Sequence, residues 1–448
     1  MSLPALQRWL AALFTPVDAA SLGVFRIVFG MAVAVESWLY LAKGWVEAIY
    51  VSPTIHFTYL YFDFVHPWPG RWMHVHFWIM SLLALLVAAG CWYRVASALL
   101  FVAYTYVFLL EQSVYMNHHY LIALLAFLLT LMPAERAYSL AHWRHPEVPA
   151  TVPRWTVWLL RYQLVLVYFY GGIAKLNADW LQGEPMRSVL TERLVTWPLL
   201  GPYIPAALVA YVIAYGGIVV DFAIPALLCT PRTFRLGFGV ALVFHLLNAA
   251  FLRIGIFSYL MIGAILIFQA PDWPRRWWRE PWQPPRQIAS PATAVHTTTW
   301  RWATVLFVHA YVLAQVLIPL RHLLYPGPVA WSEEGHRFSW RMMLRNKQSE
   351  VTITATNPAT GRIWMIDPSQ DLTPRQLAKL HTFPDILLQY VHHHRDRLRS
   401  EGVADPEIHV QWLCSLNGAP RRPLVDATIN LAAEPRSLRH ARWIEPPH

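Results

Sequence analysis

The sequence predicts an all-α integral membrane bundle of about nine transmembrane helices followed by a small α+β extramembrane domain. Three observations predict it. Of 448 residues, 56% are hydrophobic and only 14% charged, too apolar a balance for the surface of an ordinary soluble domain. The apolar residues gather in long, nearly uninterrupted runs, and these runs stop near residue 325. The chain therefore divides into a membrane part, 1–325, and an extracytoplasmic part, 326–448.

Hydropathy sets the spans at roughly 21–41, 75–90, 94–111, 119–133, 155–174, 205–228, 234–251, 255–270 and 302–320. These runs are too long and too uniformly apolar for alternating barrel strands, and lipid offers backbone groups no outside partner, so each is read as a helix. The first, Leu22 to Tyr40, is long enough for a retained span rather than a cleaved signal sequence. With the N-terminus cytoplasmic, most arginines fall on the inner side, among them Arg94, Arg136, Arg144, Arg232 and Arg235, and an odd span count leaves the C-terminal part outside. Trp68, Trp72, Trp155, Trp158, Trp273, Trp277 and Trp278 lie near span ends, as interfacial belts require. The stretch Pro271 to Pro291, rich in Pro, Trp and Arg, reads as an inner loop.

Beyond residue 325 the pattern changes. Val351 to Thr356 and Arg362 to Ile366 read as strands around an Asn357 to Gly361 turn, and Glu407 to Leu413 as a third. Between them Thr373 and Pro374 open a helix that runs towards about Leu398.

The net charge of +10 is accounted for by this topology. Its basic residues form no stripe beside stacking aromatics, so no nucleic-acid partner is expected. Cys91, Cys229 and Cys414 have neither metal-ligand nor disulfide-framework spacing. No glycine-rich phosphate loop, Gly-x-Ser-x-Gly elbow or Cys-x-x-Cys pair occurs, which speaks against nucleotide-driven transport and ordinary acyl hydrolysis.

Three polar clusters interrupt the apolar runs, and the topology puts all three near the outer face. They are Asn117-His118-His119-Tyr120, Lys175-Leu-Asn-Ala-Asp-Trp180, and His245 with Asn248. The chain has only four lysines, Lys43, Lys175, Lys347 and Lys379. A lysine closing the apolar run up to Ala174 is partly desolvated, which favours the neutral amine and suits it to act as a base. Position alone leaves open a lysine that merely snorkels, or one paired with Asp179. His118 and His119 equally suit a tight turn. A haem site is disfavoured because His245 has no facing helical partner, and zinc because no carboxylate or thiol lies at close ligand spacing, so no metal is expected.

In order along the chain, these clusters resemble the vitamin K-dependent gamma-carboxylases and their microbial relatives, which share the horizontally transferred transmembrane domain. The resemblance runs from Ser21-Leu-Gly-Val-Phe-Arg-Ile-Val-Phe-Gly30 through Asn117-His118-x-Tyr120-Leu121 and Lys175-Leu-x-Ala-Asp-Trp180. It continues through Phe244-His245-x-x-Asn248, Gly255-Ile-Phe-Ser-Tyr259 and Ser339-Trp-x-Met-Met343 to Trp443.

The resemblance implies an enzyme that oxidises vitamin K hydroquinone with O2 to the epoxide and couples this to removal of the gamma proton of a protein-bound glutamate, which CO2 then traps. By it, Lys175 is the base and His118 positions that lysine or keeps it neutral. His245, Asn248 and Asn117 fall in the substrate-binding region, and Phe257, Tyr259, Met261, Met342 and Met343 line the quinone pocket; plain core packing is the alternative for each of those five. The implied partners are the bilayer, a quinone and a secreted Glu-containing protein or peptide. The implied place is a bacterial plasma membrane with an outward site, or the endoplasmic reticulum with a luminal one. Two departures stand out: His336 occupies a position where the family has tyrosine, and Asp426-Ala-Thr-Ile-Asn430 lacks the family's proline and second acid. A quinol epoxidase with another acceptor, or a non-catalytic protein of this fold in secreted-peptide maturation or immunity, remains open.

Overall fold

The computed structural model describes residues 3–189, 205–252, 255–278 and 298–447. Helix α1, Leu3–Phe14, leads into strand β1, Pro16–Asp18, which pairs antiparallel with β2, Thr151–Pro153. The bundle helices are α2 (Ala20–Ala42), α3 (Arg71–Ala89), α4 (Tyr93–Leu110), α5 (Asn117–Leu131), α6 (Arg154–Ala174), α7 (Ala206–Leu228), α8 (Phe234–Leu252), α9 (Phe257–Ala264) and α10 (Thr298–Leu320).

Seven of these are long and apolar enough to cross a membrane; α5 and α9 are not. The expected spans over 119–133 and 255–270 are therefore shorter apolar helices. The 15 residues of α5 rise only about 22 Å at 1.5 Å each, short of a hydrocarbon core of about 30 Å. Extended backbone at Met116 and Met132 bounds it. The expected inner loop from Pro271 contains a short helix, Trp273–Trp277, and beyond Trp278 it lies outside the described residues.

Close approach of α2 to α3 depends on Gly30, where a β-carbon would stand 2.6 Å from the Ala84 carbonyl oxygen. Arg26, four residues earlier and fully buried, donates to the Tyr138 carbonyl. Side-chain bonds also tie α6 to its neighbours. Arg161 donates to the Ile267 and Gln269 carbonyls at 2.8 and 2.7 Å, and the Tyr162 and Tyr170 hydroxyls donate to the Val312 and Val316 carbonyls of α10. Within their apolar cores 67% of α6 is buried by protein, against 22% for α7 and 17% for α8. Among the described residues α7 and α8 form the thin side of the bundle.

The C-terminal domain is a four-stranded antiparallel sheet in the order β4-β3-β5-β6, with β3 at Lys347–Thr356, β4 at Ile363–Ile366, β5 at Glu407–Leu416 and β6 at Arg422–Pro423. The expected helix splits into α11 (Pro374–Leu380) and α12 (Pro384–Ser400). Pro384 causes the break, because the residue before a proline is disfavoured in helical geometry and Phe383 is extended. Thr373 caps α11 in a capping box with Gln376. Leu387, Tyr390, Val410 and Trp412 form the domain core, and Ile55 and Phe57 from the α2–α3 loop enter it. Gln376 donates to the Ile55 carbonyl at 2.7 Å, and Arg436 to Asp63 at 2.6 Å. The domain thus sits on the end of the bundle that carries the α2–α3 and α4–α5 loops.

Candidate active site

The apolar run of α6 stops at Lys175, which caps it. Asn177 then turns the chain: its side chain donates to the Ala174 carbonyl and accepts from the Trp180 amide. Trp180 is fixed against α7 by donating to the Ala214 carbonyl at 2.8 Å, and its ring lies 5.4 Å from Lys175 Nζ. Lys175 Nζ donates to Asp221 Oδ2 at 2.5 Å and to the Gly171 carbonyl at 3.2 Å. The side chains of Lys175 and Asp221 are only 11% and 5% exposed. Gly171 makes room for the pair, since a β-carbon there would lie 3.3 Å from Asp221 Oδ2 and 3.3 Å from Met342 Cε. Asp179, the nearer acid in sequence, instead accepts from Asn417 of the C-terminal domain at 2.8 Å.

On the neighbouring side Phe257 stands between two histidines. Its ring stacks on His118 at 5.5 Å and meets His245 edge-on at 6.1 Å. The Tyr168 hydroxyl is hydrogen-bonded to His245 Nε2 at 2.6 Å, and Nδ1 of that ring is buried without a hydrogen-bond partner among the described residues. Behind His118, the Tyr104 hydroxyl joins His119 Nδ1 at 2.9 Å to Glu36 at 3.3 Å. Glu36, His118 and His119 bring metal-ligating types of atom within 4.8 Å of one another. Glu36 thus supplies next to the histidines the carboxylate that spacing along the chain did not show, and His119 and Glu36 are also hydrogen-bonded through Tyr104.

The Ser339-Trp-x-Met-Met343 segment roofs the bundle. Glu333, Phe338, Trp340 and Met343 all have positive φ, between 54° and 64°, a conformation that costs roughly 1–2 kcal/mol per non-glycine residue. The surroundings enforce it. Asn117 donates to the Arg341 carbonyl at 3.1 Å, Tyr115 accepts from the Phe338 amide at 2.6 Å, and the buried Trp340 packs 5.1 Å from Tyr120. Strain held this firmly is typical of functional segments. His336 is buried beside Glu333, which also pairs with Arg345 and Lys347. Burial, and next the cations Arg345 and Arg337, hold His336 well below the usual imidazole range. It is therefore neutral and can accept the hydrogen bond from Arg345.

Comparison with known families agrees with this architecture. Residues 14–273 match the HTTM domain, and residues 300–448 match the vitamin K-dependent gamma-carboxylase lumenal domain. The chain belongs to the vitamin K-dependent gamma-carboxylase family. No solved structure matches it. As a family member it is a multi-pass membrane protein with a lumenal-type domain.

Within this carboxylase-family chain, Lys175 and Met342 stand together, and His118, Phe257 and His245 form a second group beside them. Among the described residues no hydrogen bond joins His118 to Lys175; the partner of Lys175 is Asp221, 46 residues along the chain. Asn117 spends its side chain on the roof segment and Tyr115. Asn248, partly buried, makes no hydrogen bond to a described residue. Met261 is fully buried in the core. Tyr259 and Met343 are 57% and 45% exposed. Helical period explains Tyr259: Phe257 and Met261 share the inward face of α9, and a residue two positions on points away from it. Asp221 and Tyr168 were not singled out as site residues from sequence. An acid inside a 23-residue apolar helix is the signal that could have found Asp221.

Proposed function

We propose that this chain is a vitamin K hydroquinone-dependent gamma-glutamyl carboxylase, coupling hydroquinone oxidation by O2 to carboxylation of glutamate in a secreted protein or peptide. The observation that carries the reading is the buried Lys175–Asp221 pair under Met342, beside a Phe257 ring held between His118 and His245. That arrangement suits a flat ring with hydroxyl groups: Phe257 offers a face, and the unpaired His245 Nδ1 and the Lys175 ammonium offer polar contacts. When bound, the hydroquinone supplies the reducing equivalents and, once oxygenated, the strong base that the protein lacks.

The protein's share is to bind, to move a proton at Lys175, and to keep water out under the roof of residues 333–343. In this reading residues 1–325 oxidise the quinol drawn from the bilayer, and residues 326–448, facing outward or to a lumen, receive the acceptor peptide. His336, standing where relatives have tyrosine, favours a second reading in which the epoxide forms but the acceptor differs.

The test is purified protein in nanodiscs, wild type beside Lys175→Ala, assayed for vitamin K epoxide and for bicarbonate-derived carbon in a Glu-containing peptide. Both products, lost together in the variant, establish the carboxylase. Epoxide without fixed carbon selects the second reading, and neither product rejects both.

A further inference from the structure

Lysine is a base only as the free amine, yet Lys175 Nζ stands 2.5 Å from a carboxylate. While Nζ carries all three of its hydrogens it has no lone pair to receive a proton. Within the pair, the free lone pairs belong to Asp221. We propose that Lys175 works through Asp221, which holds Nζ in position and takes the proton that Lys175 passes on from the substrate hydroxyl. This rests on the quinol-oxidising reading given above.

The surroundings support the assignment. Asp221 is 3% exposed on α7, and its described neighbours are Gly171, Met342, Lys175 and, within electrostatic reach, Tyr168. Lys175 is the one cation among them. The other titratable group facing the pair is His245, reached through Tyr168; Trp180 and Gly217 close the rest. Two of the three ammonium hydrogens are used, on Asp221 and the Gly171 carbonyl, which leaves one for a substrate oxygen.

In the step itself the substrate O–H bond breaks and its electron pair stays on oxygen. Lys175 Nζ first gives a proton to Asp221 Oδ2, where an N–H bond breaks and an O–H bond forms, and the lone pair so freed then takes the substrate proton into a new N–H bond. Before transfer the site holds a carboxylate, an ammonium and a neutral hydroxyl; afterwards it holds a carboxylic acid, an ammonium and an oxyanion. Net charge is zero throughout, so a dry site never carries an unbalanced ion, and Lys175 is again a cation facing the oxyanion.

The experiment uses the full chain in nanodiscs with vitamin K hydroquinone, following epoxide formation across pH for wild type, Asp221→Asn and Asp221→Glu. Asparagine keeps the shape and a hydrogen bond to Lys175 but does not take the proton. The expected result is a kcat about 10²–10⁴-fold lower with the hydroquinone KM changed by no more than about threefold, and partial recovery in Asp221→Glu. The pH profile of epoxide formation should change in Asp221→Asn, because the group that takes the proton is gone. Without oxygen, adding hydroquinone to the wild type should raise an infrared C=O band of a protonated carboxyl that is missing in Asp221→Asn. Should that variant fail to fold, the band in wild type and its shift in Asp221→Glu still decide the matter. Asp221→Asn acting like wild type with an unchanged pH profile, or no such band in wild type, overturns the proposal and leaves Lys175 as a neutral base. A wild type that makes no epoxide brings down the functional reading, and this inference with it.

Discussion

Replacing Lys175 by methionine removes a cation and leaves Asp221 buried against Gly171 and a methionine methyl group. At the 2.5 Å separation of the pair, Coulomb attraction at an effective dielectric of 20 is about 7 kcal/mol. Dehydrating the two ions consumes several kcal/mol of that, so the intact pair contributes little net stability. The broken pair is another matter. An uncompensated buried charge costs about 3–5 kcal/mol, and Lys175→Met should lose about 3 kcal/mol. The double variant Lys175→Met/Asp221→Leu removes both charges and should lose only about 1 kcal/mol, the scale of a core repacking. The assay is unfolding in mixed micelles with rising SDS, followed by tryptophan fluorescence, for the wild type, both single variants and the double at one pH. The single lysine variant should be the less stable of the two. A Lys175→Met protein as stable as wild type, or a double variant less stable than either single, would refute the buried pair.

Three further outcomes follow from the packing. Gly171→Ala puts a methyl 3.3 Å from both Asp221 Oδ2 and Met342 Cε; it should leave a folded protein with epoxide formation about tenfold slower, in keeping with the steep cost of small misplacements. Gly30→Ala drives a β-carbon to 2.6 Å from the Ala84 carbonyl and should destabilise the bundle by about 1–3 kcal/mol in the same SDS assay. Burial, and next the cations Arg345 and Arg337, push the Lys379 ammonium down to about 8 from 10.5. The unfolded chain thus binds more protons between those values, and wild-type stability should rise as pH climbs from about 8 to about 10.5. Lys379→Met should abolish that rise and be more stable at neutral pH, by up to about 3 kcal/mol, read from thermal scans at several pH values.

Much of the fold was legible because its signals are local. Long apolar runs locate the spanning helices, alternation locates the strands of the outer domain, and Thr373, Pro374 and Gln376 write a cap that the chain uses. Helix length was less legible. Hydropathy set the span over 119–133 two residues late against α5 and carried 255–270 two residues past each end of the apolar helix Phe257–Phe268, because it measures apolar content and not where hydrogen bonding stops. Lys175 stood out as a rare lysine at the end of an apolar run. Its partner did not, because the pairing crosses between α6 and α7 while Asp179 lay four residues away and reaches Asn417 instead. Gly171 is where the two meet: that this glycine serves the pair appears only once α7 is laid beside α6. Tyr259 is a contrasting case, a position carried over by resemblance whose side chain the period of α9 turns away from Phe257 and Met261.

The anchoring of α6 has a mechanical consequence. Its N-terminal end is joined by the Arg154 amide to the Thr15 carbonyl just before β1, its middle is bolted to the Ile267–Gln269 turn and to α10, and its C-terminal end bears Lys175. It is a fixed post. Asp221 belongs to the opposite half, the α7–α8 wall that is thin among the described residues. A molecule dissolved in the membrane that enters by parting the structure at its weakest side displaces the wall and not the post. Parting α7 from α6 also parts the Asp221 carboxylate from the Lys175 ammonium. The ion pair thus also ties the wall to the post, through charge rather than through packing.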